Sequence, residues 1–181
     1  MLADNSNAST AFALLHQKEY PSWMYSVTQG ATTIWEHWDS IKPDGSFWSD
    51  EMNSFNHYAY DAVANWMYRE IIGIDQTESS IGFSNVLISP RIKRSHLRYG
   101  NGSYHSIKGL IESSWYLAAD GEVGLTVKVP VYSTGTVVLR DAKYGSLQIE
   151  EDLKVDFDME KNQYTIEVIP GKSHFIQYSL V

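Results

Sequence analysis

Apolar and polar side chains alternate with a period of two in several stretches of the second half of the chain. Leu125, Val127 and Val129 alternate with polar neighbours, and residues 164–168 repeat the pattern. Such alternation predicts β-strands with one buried face. A further, longer strand is expected to carry on one face Ile107, Ile111, Trp115 and Leu117. The second half of the chain is therefore expected to consist of strands.

Turn signals separate these predicted strands. Asp120-Gly121 lies between two alternating runs and is a strong hairpin signal, and Pro170-Gly171 marks another turn. About seven or eight short strands at this spacing are typical of an antiparallel β-sandwich. We therefore predict such a sandwich over residues 82–181. No strip of exposed aromatic side chains is evident in its sequence.

Helical spacing replaces alternation before residue 73. A helix is expected over about residues 57–72, capped by Asn56 or Ser54 and ended by Gly73. Apolar side chains extend around most of its circumference. A helix of that kind belongs inside a larger helical body, because its apolar surface must be covered on all sides.

The rest of the first segment is predicted to form one short helix followed by loops. The short helix is expected near the N-terminus, capped by Asn7 or Ser9. Residues 22–53 are rich in Gly, Ser, Thr and Trp, which predicts long ordered loops of the kind that often form pockets. The fold class is therefore α+β by segment. A short α-helical piece over residues 1–74 precedes the antiparallel β-sandwich over residues 82–181.

Composition narrows the possible partners and surroundings. The chain has 14 basic and 22 acidic residues and a formal net charge of -8, which argues against nucleic acid and anionic membranes as partners. There is no cysteine, so neither disulfides nor thiolate metal sites are expected. A reducing, cytoplasmic compartment is favoured, although a chain without cysteine is also compatible with a location outside the cell. A basic run is expected to form a solvated face or an interdomain salt-bridge surface, and its members are Arg91, Lys93, Arg94 and Arg98.

Glu36 is the carboxylate in the most informative setting. It lies between Trp35 and Trp38, and the hydroxyls of Thr32 and Thr33 are expected to fix it in its ionised form. Pyranose rings stack their C–H faces on aromatic rings, and an ionised glutamate that holds a water can act as a general base. The alternative is an ordinary exposed glutamate in a loop.

His57 is the second candidate, at the start of the predicted helix. The positive end of a helix disfavours an imidazolium, so a neutral ring could hydrogen-bond a sugar hydroxyl, although a backbone-bonded histidine is the commoner case.

Further carboxylates that could serve as a second catalytic group, or lie solvated in loops, are Asp39, Asp44, Asp50 and Glu51. The tryptophans interpreted as core first and sugar platforms second are Trp23, Trp48 and Trp66. The spacing of the histidines does not favour a metal site, and no cofactor is expected.

These motifs resemble the C-terminal end of bacterial alpha-L-rhamnosidases, which are inverting glycoside hydrolases with an (alpha/alpha)6 catalytic barrel. The first matching stretches are YPSWMYSVTQGATTIWEHWDSI and MNSFNHYAYDAVANWMYREIIGI, at residues 20–41 and 52–74. Further on, LISPR and the strands GLIESSW and LTVKVPV resemble the closing β-sandwich of the family. The resemblance extends over nearly the whole chain.

The resemblance implies a role for each candidate residue. Glu36 is expected to be the general base that activates the attacking water, and His57 to line the rhamnose subsite. Trp35 and Trp38 are expected to shape that pocket. In the family, the general acid lies on an earlier part of the barrel, so this chain alone is expected to be inactive.

Two other functions remain open at the level of the sequence. The sandwich or the tryptophan cluster could bind carbohydrate without cleaving it, or the sandwich could be a purely structural domain that supports the barrel. The sequence favours the structural role for residues 82–181, because no strip of exposed aromatic side chains is evident there. The partner implied by the resemblance is a rhamnosyl glycoside, bound by the full-length enzyme. Self-association of the chain as a homodimer is also expected, because the helical segment would otherwise expose apolar side chains.

Overall fold

The computed structural model of the chain describes residues 7–149 and 152–181. The chain divides into two units, Met1–Trp66 and Met67–Val181. In the described residues, the first unit contains helices and loops, and every strand of the two main sheets lies in the second unit. The predicted α+β arrangement by segment is confirmed. Within the same residues, no helix is both long and apolar enough to cross a membrane.

The first unit begins with two short helices, α1 at Ala8–His16 and α2 at Trp23–Thr28. The first agrees with the predicted N-terminal helix. The second corrects the prediction that residues 22–53 form loops throughout. The hydroxyl of Ser22 accepts the N–H of Tyr25 at 2.9 Å and caps α2. A helix of six residues is too short for its apolar period to be recognised in the sequence.

The predicted helix over residues 57–72 consists of three pieces rather than one. A 3₁₀ turn at Tyr58–Tyr60 precedes α3 at Ala62–Met67, and a π-helical turn follows at Tyr68–Ile72. The cap is His57 instead of Asn56 or Ser54, because the His57 ring accepts the N–H of Ala59. The predicted stop at Gly73 is confirmed, and its backbone is left-handed with φ of 84°.

The second unit contains two five-stranded sheets. In chain order the strands are β1 Ile74–Gln76, β2 Asn85–Ile88, β3 Tyr99–Ser106, β4 Gly109–Leu117, β5 Glu122–Lys128, β6 Thr134–Leu139, β7 Gln148–Ile149, β8 Lys154–Asp158, β9 Gln163–Val168 and β10 Ser173–Ser179. The first sheet has the order β1-β2-β6-β9-β8 and the second the order β3-β4-β5-β10-β7. All neighbouring strands are antiparallel except β2 and β6. A short helix, α4, lies at Ile92–Ser95.

The predicted alternation forms the core of the second unit. On β5, Val123, Leu125 and Val127 are fully buried, while Thr126 and Lys128 are exposed. The apolar faces of β2, β4, β6, β9 and β10 are buried in the same way. Each sheet therefore has one buried face, as expected of a sandwich.

Ile107 does not lie on the strand face that the sequence predicted. It is 86% exposed and lies between the ends of β3 and β4. The hydroxyl of Ser106 accepts the N–H of Lys108 at 3.1 Å and donates to the carbonyl of Gly109 at 2.9 Å. These bonds fix a tight turn, so the long strand begins only at Gly109.

The π-helical turn packs against the sandwich inside the second unit. The indole N–H of Trp115 donates to the carbonyl of Ile71, and the hydroxyl of Ser113 donates to that of Ile72, both at 2.7 Å. Glu70, which is buried, forms an ion pair with Arg91. Arg91 is therefore part of an internal ion pair rather than of a solvated basic face. The predicted domain limits, 1–74 and 82–181, stay a prediction.

Candidate active site

Helix α2 provides the support for the segment that carries Glu36. After α2 the chain turns at Gly30, whose φ is 90°, and the N–H of Ala31 donates to the carbonyl of Ser26 at 3.0 Å. The hydroxyl of Ser26 donates to the carbonyl of Trp38 at 3.1 Å. The segment is thus fixed to one helix on both sides of Glu36.

The backbone of Ser54 holds Glu36 at two points. The N–H of Glu36 donates to the carbonyl of Ser54 at 2.9 Å, and the Oε2 atom of Glu36 accepts the N–H of Ser54 at 3.1 Å. The side chain is half-buried. The sequence predicted that the hydroxyl of Thr33 would bond to Glu36, but this hydroxyl donates to the carbonyl of Phe55 instead. Half-burial and a donor aimed at one oxygen leave the other oxygen able to hold a water.

His57 lies on the segment that pairs with the Glu36 segment. Its N–H donates to the carbonyl of Ile34 at 2.8 Å, which makes a second main-chain bond between the two segments. Its Nδ1 atom accepts the N–H of Ala59 at 3.2 Å. A neutral His57 in this position therefore carries its proton on Nε2. The ring is parallel to that of Tyr58, with centroids 5.6 Å apart.

Trp35 and Trp38 have different surroundings. Trp35 is buried and packs edge-on against Phe55, with ring centroids 5.5 Å apart. Trp38 is half-buried and stacks on Tyr60 with centroids 4.0 Å apart, while Trp23 packs on it edge-on at 5.2 Å. Trp35 therefore contributes mainly to packing, and Trp38 belongs to an aromatic cluster that remains partly open to solvent.

The other candidate carboxylates lie in turns and loops. Asp44 accepts the hydroxyl of Ser46 at 2.7 Å and its N–H at 3.0 Å, and these bonds hold the pKa of Asp44 below its ordinary value. Asp50 and Glu51 are exposed. A cleft of about 450 Å³ is lined by Tyr20, Tyr25, Asp39, Lys42, Pro43 and Asp44. Asp39 and Asp44 therefore face this cleft together.

Trp48 is not the core residue that the sequence favoured. It is 45% exposed and stacks on His37, with centroids 3.6 Å apart and an interplanar angle of 12°. Trp66 is half-buried and contacts the buried ring of Phe12 at 4.9 Å. The pairing of His37 with Trp48 was missed because nothing in the spacing of the two residues indicates it. The bridge between Ile41 and Phe47 brings the chain back at this point.

No cluster of side chains that could bind a metal ion occurs among the described residues. Across residues 7–149 and 152–181, no group of three or more His, Asp or Glu side chains comes together in a way that could hold a metal ion. The described side chains on the Glu36 and His57 segments include a carboxylate, an imidazole and aromatic rings.

Comparison with known proteins places both units in one family. Residues 1–71 match the family described as bacterial alpha-L-rhamnosidase 6 hairpin glycosidase domain. Residues 73–154 match the family described as bacterial alpha-L-rhamnosidase C-terminal domain. The chain belongs to the bacterial alpha-L-rhamnosidase family. The resemblance drawn from the sequence motifs is thereby confirmed.

Individual rhamnosidases are similar to most of this chain. An alpha-L-rhamnosidase of Streptomyces avermitilis is 42% identical over 137 residues, which are 76% of this chain and 13% of the relative. A crystal structure of Streptomyces avermitilis alpha-L-rhamnosidase complexed with L-rhamnose matches with a TM-score of 0.82 and 34% identity, over 97% of this chain and 16% of that one. The structure of alpha-L-rhamnosidase from Dictyoglumus thermophilum matches with a TM-score of 0.79 and 25% identity, over 98% of this chain and 19% of that one. The chain thus spans less than a fifth of each of these rhamnosidases.

Proposed function

We propose that the chain supplies the general base and part of the rhamnose subsite of an inverting alpha-L-rhamnosidase. The observation that carries the proposal is the position of Glu36. Its carboxylate is half-buried, is bonded at one oxygen by the N–H of Ser54, and lies on a segment joined by main-chain bonds to that of His57. The solved relative from Streptomyces avermitilis that matches this chain was complexed with L-rhamnose.

In the proposed reaction, Glu36 removes a proton from a water molecule. The water oxygen attacks the anomeric carbon of a terminal alpha-L-rhamnosyl group while the bond to the leaving oxygen breaks. A separate carboxylic acid protonates that oxygen. Attack from the opposite face inverts the anomeric configuration, which requires the two carboxyl groups to lie roughly 6.5–9.5 Å apart so that the water fits between them.

His57 and the tryptophans have binding roles in this proposal. The Nε2–H of a neutral His57 donates a hydrogen bond to a sugar hydroxyl. Trp38 is half-buried, and its solvent-exposed part stacks on a C–H face of rhamnose. Trp35 is buried, and its packing holds the segment in place. The binding role of Trp38 and the packing role of Trp35 follow from the different exposure of their indole rings.

The general acid is assigned to a residue outside this chain. Asp39 and Asp44 face a cleft that is lined by neither Glu36 nor His57, and Asp50 and Glu51 are exposed in loops. The 181-residue chain is therefore expected not to catalyse, since loss of general acid catalysis alone costs about 10²–10⁴-fold. Purified chain assayed on an aryl alpha-L-rhamnoside should show no turnover above background. Turnover that disappears in Glu36→Gln would contradict this assignment of the acid.

A chimaera tests the base directly. Residues 1–181 replace the matching segment of the Streptomyces avermitilis enzyme, with and without Glu36→Gln. The variant should lose about 10²–10⁴-fold in turnover. Glu51→Gln, a change at an exposed carboxylate of the same unit, is the control and should leave turnover unchanged.

Stereochemistry gives the chimaera a second readout. The first product seen by NMR should be beta-L-rhamnose. In Glu36→Ala, azide should restore turnover and form the beta-L-rhamnosyl azide, because azide attacks without needing a base. A Glu36→Gln chimaera within tenfold of the parent, or an alpha-configured first product, would refute the role of Glu36.

A further inference from the structure

Three aromatic side chains lie on the outer face of the second sheet. The opposite face of that sheet carries the buried residues Trp115 and Leu125, so the alternate positions point to solvent. Tyr99 and Tyr116 are direct partners on β3 and β4, and Phe175 is on β10. Their side chains are 75%, 43% and 42% exposed. The sequence alone had indicated no exposed aromatic strip in this region.

Tyr116 is held flat against the sheet by a glycine. Its register partner on β5 is Gly124, which is buried. A Cβ atom added at Gly124 would lie 2.3 Å, 2.4 Å and 2.6 Å from the Cε1, Cζ and Oη atoms of Tyr116. The ring therefore lies across the backbone of β5 and turns its other face to solvent. A ring fixed in this way loses little side-chain entropy when a ligand stacks on it.

Tyr99 and Tyr116 lie directly opposite each other, and Phe175 is offset diagonally from Tyr116 on the far side of β5. β5 lies between β4 and β10, which places these two strands about 10 Å apart. Phe175 pairs with Thr126, two residues along β5 from Gly124, which adds about 7 Å along the strand direction. The Cα atoms of Tyr116 and Phe175 are then about 12 Å apart. That separation is comparable to the length of a short pyranose oligosaccharide.

The surface between the rings is polar and nearly neutral. Uncharged outward residues there include Asn101, Ser114, Thr126 and Gln177. The charged strand residues on this face are Glu112, Glu122 and Lys128. Lys128 and Glu112 form an ion pair at 3.8 Å, and Glu122 accepts a hydrogen bond from Gln177 at 3.2 Å. This near-neutrality contrasts with the net charge of -8 of the whole chain.

We propose that the outer face of the second sheet binds a neutral pyranose oligosaccharide. Tyr116 is the central platform, and Tyr99 and Phe175 stack on other sugar units of the same oligosaccharide. The amide and hydroxyl groups between the rings both donate and accept hydrogen bonds, as sugar hydroxyls require. A polyanion would need basic residues on this face, and a protein partner would need a continuous apolar centre. The proposal is independent of the role of Glu36, because all these residues lie in the second unit.

An NMR titration of the full chain tests the proposal. The ¹⁵N-labelled protein receives a tetrasaccharide of L-rhamnose and, separately, cellotetraose, each up to its solubility limit. Binding of either sugar should shift amide resonances of β3, β4, β5 and β10. Tyr116→Ala should weaken binding about threefold to tenfold, as expected when one stacked ring is removed.

Two further variants keep the outcome interpretable. Tyr99→Ala changes a side chain that is mostly solvated, so the fold should survive and binding should still weaken. Tyr132→Ala removes an equally exposed tyrosine, 80% exposed, from outside the strands, and binding should stay unchanged. Weakening in Tyr99→Ala but not in Tyr132→Ala supports the proposal even if Tyr116→Ala fails to fold.

Three results would overturn the proposed sugar face. The first is the absence of shifts with both tetrasaccharides. The second is a set of shifts confined to the first unit. The third is a dependence of the β3–β5 resonances on protein concentration alone, which would identify a second copy of the chain as the occupant. None of these results bears on Glu36, whose test is the chimaera.

Discussion

Glu70→Gln is expected to destabilise the second unit by about 3–5 kcal/mol, the range found when one partner of a buried ion pair is removed. The side chain of Glu70 is 7% exposed and that of its partner Arg91 is 19% exposed. The N–H of Arg91 also donates to the carbonyl of Glu70 at 2.9 Å. The glutamine would keep the volume and the main-chain bond, so the change isolates the carboxylate charge.

The magnitude depends on a second guanidinium. Arg140 donates to the hydroxyl of Ser89 at 2.9 Å, and burial followed by the charge of Arg91 lowers the pKa of Arg140 below its ordinary value. Glu70 and, more weakly, Asp141 act in the opposite direction on that pKa, so the carboxylate of Glu70 offsets part of the positive charge of both guanidiniums. Its loss would leave two like charges poorly solvated. Against a usual total stability of about 5–15 kcal/mol, this is a large fraction.

An apolar double variant separates charge from packing. In Glu70→Met with Arg91→Met, both desolvated charges are removed and the volume is roughly kept. Replacing a whole buried pair by apolar groups is often neutral or stabilising. The double variant should therefore be more stable than Glu70→Gln, and a double-mutant cycle should show strong coupling between the two positions.

The assay is denaturant unfolding followed by the indole N–H resonance of Trp115. Trp115 is the only tryptophan after Trp66, and its N–H donates to the residue that follows Glu70. The matched control is Glu167→Gln, which breaks an exposed ion pair with Lys154 and should cause no measurable change. A loss below about 1 kcal/mol for Glu70→Gln, within the range of exposed pairs, would refute the reasoning.

Two predictions concern the chain as a whole. Limited proteolysis should leave a stable product that begins near Met67, because Trp115 and Ser113 hold the π-helical turn to the sandwich. Mass spectrometry identifies the first residue of the product, and a product that begins at residues 74–82 would show that the turn detaches. The chain should also self-associate, most simply as a homodimer, since no side chain of α3 is buried and Tyr58 is 80% exposed. Light scattering after size exclusion checks this, and a clean monomer that binds no hydrophobic dye would contradict it.

The sequence was most informative where a local rule determines structure. Alternation located β5 and β9 because each has one face in the core. The Asp120-Gly121 signal was sufficient because the hairpin is closed locally, with the carboxylate of Asp120 accepting the N–H of Glu122 at 3.1 Å. Gly73 was identified as a helix end for a similarly local reason, which is its left-handed backbone.

Structure that depends on distant partners could not be predicted. Strand β3 has the sequence YGNGSYHS, which lacks a clear apolar alternation, and it forms because β4 pairs with it along its whole length. The arrangement of Tyr99, Tyr116 and Phe175 depends on the register of four strands that are not all consecutive in the chain. A search along the sequence for closely spaced aromatic residues could not find it.

The sequence feature that identified the candidate active site is not the feature that holds Glu36 in place. The flanking tryptophans drew attention to Glu36, yet its only side-chain hydrogen bond in the described residues comes from the backbone N–H of Ser54. Main-chain bonds from Glu36 to Ser54 and from His57 to Ile34 fix the two segments side by side. Any residue except proline offers such a backbone donor, so side-chain identity at position 54 carries no signal of this contact. The identity of a proposed base is therefore readable in a sequence, while the arrangement that positions it becomes visible only when the two segments are seen paired.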